Sequence, residues 1–116
     1  MSNAQSTQST ADVLDHHMTA FGVQDIEEFL MDYTDASYIV SNMGTFRGLD
    51  EIKALAEQMF EEFAQDGVEL TYDSQEVVDD VAYTTWHGES PDNVYEFGSD
   101  TFVIRDGVIE CQTFAM

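Results

Sequence analysis

An Asp-Gly pair near the end of the chain constrains the fold more than any other feature of the sequence. Asp106-Gly107 separates two runs that are rich in β-branched and aromatic residues. The pair favours a type I′ turn, because both central positions of that turn require a positive φ. This turn would pair Arg105 with Val108 and fix the register of a β-hairpin that extends away from it.

The register predicts which side of the hairpin faces the core. Successive side chains of a strand point to opposite faces of the sheet. One side should therefore carry three facing pairs, which are Ile104 with Ile109, Phe102 with Cys111, and Asp100 with Thr113. The other side, which includes Glu110 and Gln112, is more polar. We expect the first side to face the core, and an acid among its apolar residues indicates a chemical role.

Helical periodicity predicts three helices in the first half of the chain. The first helix should cover residues 11–22, with Thr10 as its N-cap and His17 on its apolar face. Asp25 and Glu28 have the spacing of a capping box, which predicts a short second helix. A third helix follows an acidic first turn near the middle of the chain and has the clearest apolar periodicity.

The strands complete an α+β pattern. One strand is expected at 35–42 and a loop at 44–48, and further strands at 68–78, 81–88, 94–104 and in the second arm of the hairpin. This order predicts three helices in the N-terminal half, packed on a curved and mostly antiparallel sheet with a pocket between them. The polar residues 1–9 predict a disordered tail, and residues 10–116 form the predicted domain.

The charge of the chain limits its partners. It has 24 Asp and Glu against 3 Lys and Arg, a net charge of −21. Such a surface repels nucleic acids and anionic membranes, so neither is expected as a partner. The acids are spread along the whole chain, which favours solubility in concentrated salt. With one cysteine, no membrane-length apolar run and no signal-like start, a cytoplasmic protein is expected.

Three segments resemble the SnoaL-like branch of the NTF2-like superfamily, which also includes ketosteroid isomerase. They are 33–37 (YTDAS), 44–52 (GTFRGLDEI) and 100–114, which begins Asp100-Thr101-Phe102. The resemblance implies an NTF2-like cone, a pocket for a small molecule, no cofactor and a homodimer through the outer face of the sheet. The scaffold hosts isomerases, cyclases, hydrolases and non-catalytic modules, so it does not name a reaction.

The resemblance also implies site residues. Asp100 matches the pocket aspartate of the isomerase, which stays protonated and donates a hydrogen bond to a substrate oxyanion. His17 falls near the tyrosine that completes that oxyanion hole, and His16 remains an alternative. The general base of the isomerase would lie near the end of the first strand, where this chain has only Val40-Ser41-Asn42.

The remaining candidates are expected to line the pocket. Trp86 and His87 are adjacent on a strand and must face opposite sides, and we expect Trp86 to face inward as an aromatic wall. The predicted ligand-contacting set is Trp86, Tyr38, Phe60, Phe102, Thr113 and His16, with Tyr33 as a further candidate. No metal site is expected, because the only spacing that could hold a cation is a loose one, Asp12 with His16.

Two functions from different classes remain open from the sequence. The first is an isomerase- or cyclase-type acid–base enzyme, in which Asp100 and His17 stabilise an enolate-like oxygen of an apolar molecule that bears a carbonyl or hydroxyl. The alternative is a non-catalytic module for ligand binding or dimerisation. The missing base favours the module, whereas the retained Asp100 favours the enzyme.

Overall fold

The computed structural model describes residues 3–116, in which helices and strands alternate much as the sequence predicts. The elements are α1 (Asn3–Gly22), α2 (Ile26–Leu30), β1 (Tyr38–Ser41), β2 (Gly44–Arg47), α3 (Gly48–Phe63), β3 (Glu69–Val78), β4 (Val81–Glu89), β5 (Val94–Arg105) and β6 (Val108–Ala115). The strands form a single sheet in the order β2-β1-β6-β5-β4-β3. All neighbours are antiparallel except β1 and β6, which are parallel. The predicted α+β class and mostly antiparallel sheet are confirmed.

The turn that organises the C-terminal hairpin forms as predicted. Asp106 has φ 53° and Gly107 has φ 79°, as a type I′ turn requires. The pairs next to the turn, Arg105 with Val108 and Ile104 with Ile109, are also those predicted. Beyond them the register shifts, because Val103 pairs with Cys111 and leaves Glu110 as an extra residue on β6. This β-bulge makes the more distant predicted pairs wrong.

The bulge reverses which residues of β6 face the core. Asp100 pairs with Phe114 and Phe102 with Gln112, instead of with Thr113 and Cys111. Gln112 is therefore buried, whereas Thr113 is exposed on the outer face. The phase of β5 is unaffected, since the extra residue belongs to β6 alone.

Helix α1 is longer than the sequence indicates. It begins at Asn3 and not after Thr10, so Thr10 is a buried helical residue and not an N-cap. The hydroxyl of Thr10 donates to the backbone oxygen of Asp79 at 2.6 Å, and the backbone N–H of Asp79 donates to Thr7 Oγ1 at 3.0 Å. These two bonds join the first half of α1 to the turn between β3 and β4.

The region around α2 and α3 contains one confirmed and one wrong prediction. Asp25 caps α2, and its carboxylate accepts from the backbone N–H of Glu28 at 3.1 Å. Residues 44–48 were expected to form a loop, but residues 44–47 form β2, which pairs with β1 as a hairpin. Gly48 then has φ 80° and begins α3 directly after the strand.

The helices cover one face of the sheet and enclose the apolar core between them. The fully buried core residues come from both layers and include Leu14, Ile52, Ala82, Phe102 and Ile109. Along β4 the buried residues are Ala82, Thr84 and Trp86, so Trp86 faces inward as predicted and His87 lies on the other side. Within the described part of the chain, none of the helices combines the length and the apolar character that crossing a membrane requires.

Candidate functional site

A cavity of about 80 Å³ lies between the helices and the concave face of the sheet. Its walls are mainly apolar and aromatic, and its polar lining groups are His17, Tyr33, Tyr72, Trp86, Asp100 and Gln112. Tyr72 is 48% exposed, so the cavity opens to solvent on its side. Among the described residues that line the cavity there is no Lys or Arg, and the one carboxylate is that of Asp100.

Asp100 occupies the inner face of β5 at the wall of this cavity. Its Oδ2 accepts from Trp86 Nε1 at 3.0 Å, and its Oδ1 accepts from Gln112 Nε2 at 3.1 Å. Burial raises the pKa of Asp100 to about 6, because desolvation penalises the charged form more than the neighbouring Gln112, Trp86 and Thr84 side chains stabilise it. A carboxyl group with this pKa can both accept and donate a proton near neutral pH.

Gly98 allows Trp86 to reach Asp100. The two residues face each other across β4 and β5, and a Cβ placed on Gly98 would lie 2.1 Å from Trp86 Cε2. This separation is far inside van der Waals contact, so any side chain at this position would displace the indole. The absence of a side chain at Gly98 is therefore part of what holds the indole N–H at the carboxylate.

A second group of polar side chains continues from Gln112. The hydroxyl of Tyr33 donates to Gln112 Oε1, and Tyr33 Oη lies 3.4 Å from His17 Nε2. Burial raises the pKa of Tyr33 well above its ordinary value, so the phenol stays protonated. Asp100, Gln112, Tyr33 and His17 thus form one connected polar path along an otherwise apolar wall.

His17 is fully enclosed, with its ring between aromatic neighbours. The ring centroid lies 4.3 Å from that of Phe29 and 5.5 Å from that of Phe102. Burial lowers the pKa of His17 and outweighs the effect of the Asp32 carboxylate, whose Oδ2 lies 3.4 Å from Nδ1. The imidazole is therefore neutral, and Nδ1 has no hydrogen-bond partner in the described structure.

His16, the alternative to His17, points away from the cavity. Its Nε2 lies 2.9 Å from Glu28 Oε1, and its Nδ1 lies 2.9 Å from both carboxylate oxygens of Asp32. Hydrogen bonds to Glu28 and Asp32 raise the pKa of His16. The spacing of Asp12 and His16 does not produce a pair, since Asp12 instead accepts from Gln8 Nε2 at 3.0 Å.

The structure brings Asp100, His17, Trp86 and Tyr33 to one cavity, but it does not place the other predicted ligand contacts there. Tyr38 lies on the opposite face of β1, where the guanidinium of Arg47 covers its ring at 5.3 Å. Phe60 and Phe102 are buried in the core outside the cavity lining. Thr113 is exposed because of the bulge, and His16 belongs to the surface cluster with Glu28 and Asp32.

Sequence reasoning missed three residues of the site. Gln112 takes the place expected for Thr113, and only the position of the bulge could have revealed it. Asp32 precedes Tyr33 in the chain and could have been noticed as a partner for the adjacent histidines. Gly98 gives no sequence signal, since its role depends on the indole that packs on it.

The end of β1 provides no acid to the cavity. Val40 and Asn42 are exposed, Ser41 is partly buried, and the lining residue on this strand is Ile39. Residues 38–42 therefore contribute an apolar side chain and no carboxylate to the cavity lining.

Comparison with solved structures gives the fold a name. An NTF2-like protein of unknown function from Mesorhizobium loti superimposes with a TM-score of 0.81 at 16% identity, over 94% of this chain and 91% of that one. The chain has the NTF2-like fold. A candidate ketosteroid isomerase from Kribbella flavida gives a TM-score of 0.77 at 12% identity, over 93% of this chain and 77% of the other.

Other similar structures carry different descriptions. A candidate polyketide cyclase from Sinorhizobium meliloti superimposes with a TM-score of 0.75 at 12% identity, over 89% of this chain and 93% of that one. No protein-family model and no curated protein matches the sequence. At such identities the likeness establishes the fold alone, and function must be argued from the site.

Proposed function

We propose that the cavity binds a small, largely apolar molecule through its carbonyl or hydroxyl oxygen and that Asp100 exchanges a proton with it, as in an isomerase- or cyclase-type enzyme without a cofactor. The observation that carries this proposal is one carboxylate, with its pKa raised to about 6, on the wall of an apolar cavity. Groups with displaced pKa values in clefts are candidates for catalysis.

The size and charge of the cavity restrict the ligand. A dry cavity of about 150 Å³ accepts benzene, so about 80 Å³ suits a ligand whose buried part is no larger than one small ring. The lining has one carboxylate and no Lys or Arg among the described residues. Anionic ligands are therefore disfavoured, and neutral oxygen-bearing molecules fit best.

The roles of the residues follow from their protonation. With a pKa of about 6, Asp100 is mostly ionised at neutral pH and can act as the proton acceptor. This differs from the permanently protonated aspartate that the resemblance implies, and it removes the need for an acid at the end of β1. His17, neutral and buried, would hold the ligand oxygen as its negative charge develops.

The test combines binding with isotope exchange. Cyclobutanone, cyclobutanol and cyclobutanecarboxylate are matched probes of carbonyl, hydroxyl and anionic ligands with a ring small enough for the cavity. We expect the ketone and the alcohol, but not the carboxylate, to raise the melting temperature. In D₂O, the protein should accelerate deuterium uptake next to the ketone carbonyl, and Asp100→Asn should reduce this rate by at least about 100-fold. Failure of both the ketone and the alcohol to bind would refute the proposal.

Asp73→Asn is the matched control for the exchange experiment. Asp73 lies outside the cavity lining, with its Oδ2 2.8 Å from His87 Nδ1, so the same chemical change there should leave both binding and exchange intact. Binding without exchange in the unaltered protein would favour the alternative, a non-catalytic ligand-binding module. That alternative is supported by the missing acid on β1.

We propose further that two copies associate through the outer face of the sheet. Val81 and Tyr83 lie on this face and are 43% and 39% exposed, and Val81 pairs with Val103 across the strands. Light scattering on the unaltered protein and on Tyr83→Lys tests this arrangement. A monomeric unaltered protein would contradict it.

A further inference from the structure

A chain of hydrogen-bonded side chains connects Asp100 to His17, and each hydrogen bond in it has a defined donor and acceptor. Gln112 donates to Asp100 through Nε2 and accepts from Tyr33 through Oε1. Tyr33 has a single proton, and that proton is used in the bond to Gln112. The contact of 3.4 Å between Tyr33 Oη and His17 Nε2 is therefore a hydrogen bond only when Nε2 carries the imidazole proton.

This order of donors and acceptors leaves the buried Nδ1 of His17 without a hydrogen-bond partner. A neutral imidazole has one proton, so a proton on Nε2 leaves Nδ1 bare. Nδ1 faces the Asp32 carboxylate at 3.4 Å and is one of the two buried side-chain atoms without a hydrogen-bond partner in the described structure. Two acceptors facing each other in a buried site are costly, which calls for an explanation.

Protonation of Asp100 would exchange donor and acceptor in every hydrogen bond of this chain. A protonated Asp100 would donate to the oxygen of Gln112 once the amide has turned by half a rotation. The Gln112 amino group would then donate to Tyr33, and the Tyr33 hydroxyl would donate to His17 Nε2. The imidazole proton would move to Nδ1, by loss to water at the cavity and gain at the other nitrogen, and would bond to Asp32. The ring stays neutral, and the only added proton is the one on Asp100.

We propose that Gln112 and Tyr33 couple the protonation state of Asp100 to the tautomer of His17. Gln112 is the positioning residue, because rotation of its amide exchanges the donors and acceptors along the hydrogen-bonded chain. The inference rests on the proposed function, which it deepens. When Asp100 is ionised, the Nε2–H of His17, which Tyr33 Oη accepts only over the long distance of 3.4 Å, can be shared with a ligand oxygen while Asp100 accepts a proton from carbon. After the transfer, Nε2 becomes an acceptor, so the donor is withdrawn from the product.

Among the described residues, few titratable groups face the hydrogen-bonded side chains that run from Asp100 to His17. Tyr33 and Tyr72 face Asp100, and burial keeps both phenols protonated, with the pKa of Tyr72 at about 12. His17 is faced by Asp32 and, beyond it, by His16. His16 is the group whose own titration could be mistaken for that of Asp100, and a His16→Gln variant removes it.

The test is NMR of the ligand-free protein, with ¹⁵N-labelled histidine and ¹³C-labelled aspartate. As the pH falls, we expect the His17 signals to change from the Nε2–H to the Nδ1–H tautomer at the midpoint of the Asp100 carboxyl titration, in both the unaltered protein and His16→Gln. Gln112→Leu and Tyr33→Phe cut the chain at successive links. In each, Asp100 should still titrate while the His17 tautomer no longer follows it.

Two results would overturn the coupling. One is a His17 tautomer that stays constant while Asp100 titrates in the unaltered protein. The other is a tautomer change that still follows the Asp100 titration in either Gln112→Leu or Tyr33→Phe. If Gln112→Leu does not fold, Tyr33→Phe still decides, because it retains the aromatic ring. Because no ligand is present, this outcome is independent of the binding and exchange results that test the proposed function.

Discussion

The hydrogen bond from Trp86 to Asp100 offers the sharpest test of how the site sets its acid strength. We expect Trp86→Phe to raise the pKa of Asp100, because the indole N–H stabilises the ionised carboxylate at 3.0 Å and phenylalanine has no donor. A hydrogen bond to a charged group is worth about 1.5–3 kcal/mol, and one pH unit corresponds to about 1.4 kcal/mol, so the pKa should rise by about 1–2 pH units.

This rise would change the dominant form of the site at neutral pH. From a starting value of about 6, Asp100 would pass from mostly ionised to half or mostly protonated at pH 7. The assay is a ¹³C NMR titration of the Asp100 carboxyl carbon in the two proteins. Gly98→Ala should act in the same direction, because its Cβ would force the indole away from Asp100.

Tyr95→Phe is the matched control for this titration. Its hydroxyl donates to Glu62 and not to Asp100, and its ring packs 5.6 Å from that of Trp86. Loss of that hydroxyl should leave the Asp100 titration unchanged. An Asp100 pKa that is the same in Trp86→Phe as in the unaltered protein would refute the assignment of the indole as a donor to the carboxylate.

Three further predictions concern stability. The pKa of Asp100 is raised on folding from 3.8 to about 6, so burial of its charge destabilises the folded state fully above pH 6 and not at all below about pH 4. Asp100→Asn should therefore gain up to about 3 kcal/mol in free energy of unfolding at pH 7. In urea unfolding, a stability difference between the two proteins that does not disappear on acidification would contradict this. Thr10→Val should lose about 1 kcal/mol in the same assay, since it removes the bond to Asp79, whereas exposed Ser9→Ala should change little. The melting temperature should rise from low to molar salt, because screening relieves the repulsion within a chain of net charge −21, and a flat profile would exclude that explanation.

Local sequence determined most of the elements, though not the start of α1 or the strand β2, and it determined the phase of β5. The Asp-Gly turn needs two positive φ values, which few other pairs adopt easily, so the hairpin and its first two residue pairs could be predicted. Alternation along β5 and β4 then placed Asp100 and Trp86 on the inner face. Helical periodicity placed His17 there too, because the apolar face of α1 packs into the core against the sheet and the other two helices.

Only the tertiary structure decided which polar groups meet inside. One extra residue at Glu110 changed the phase of β6 and exchanged Thr113 for Gln112 beside Asp100, and no local signal marks that bulge. The bonds of His16 to Asp32 and of Thr10 to Asp79 join residues 16 and 69 positions apart, so they follow from packing and not from local spacing. The acid strength of Asp100 depends in the same way on burial and on the polar side chains that the assembled sheet brings to it.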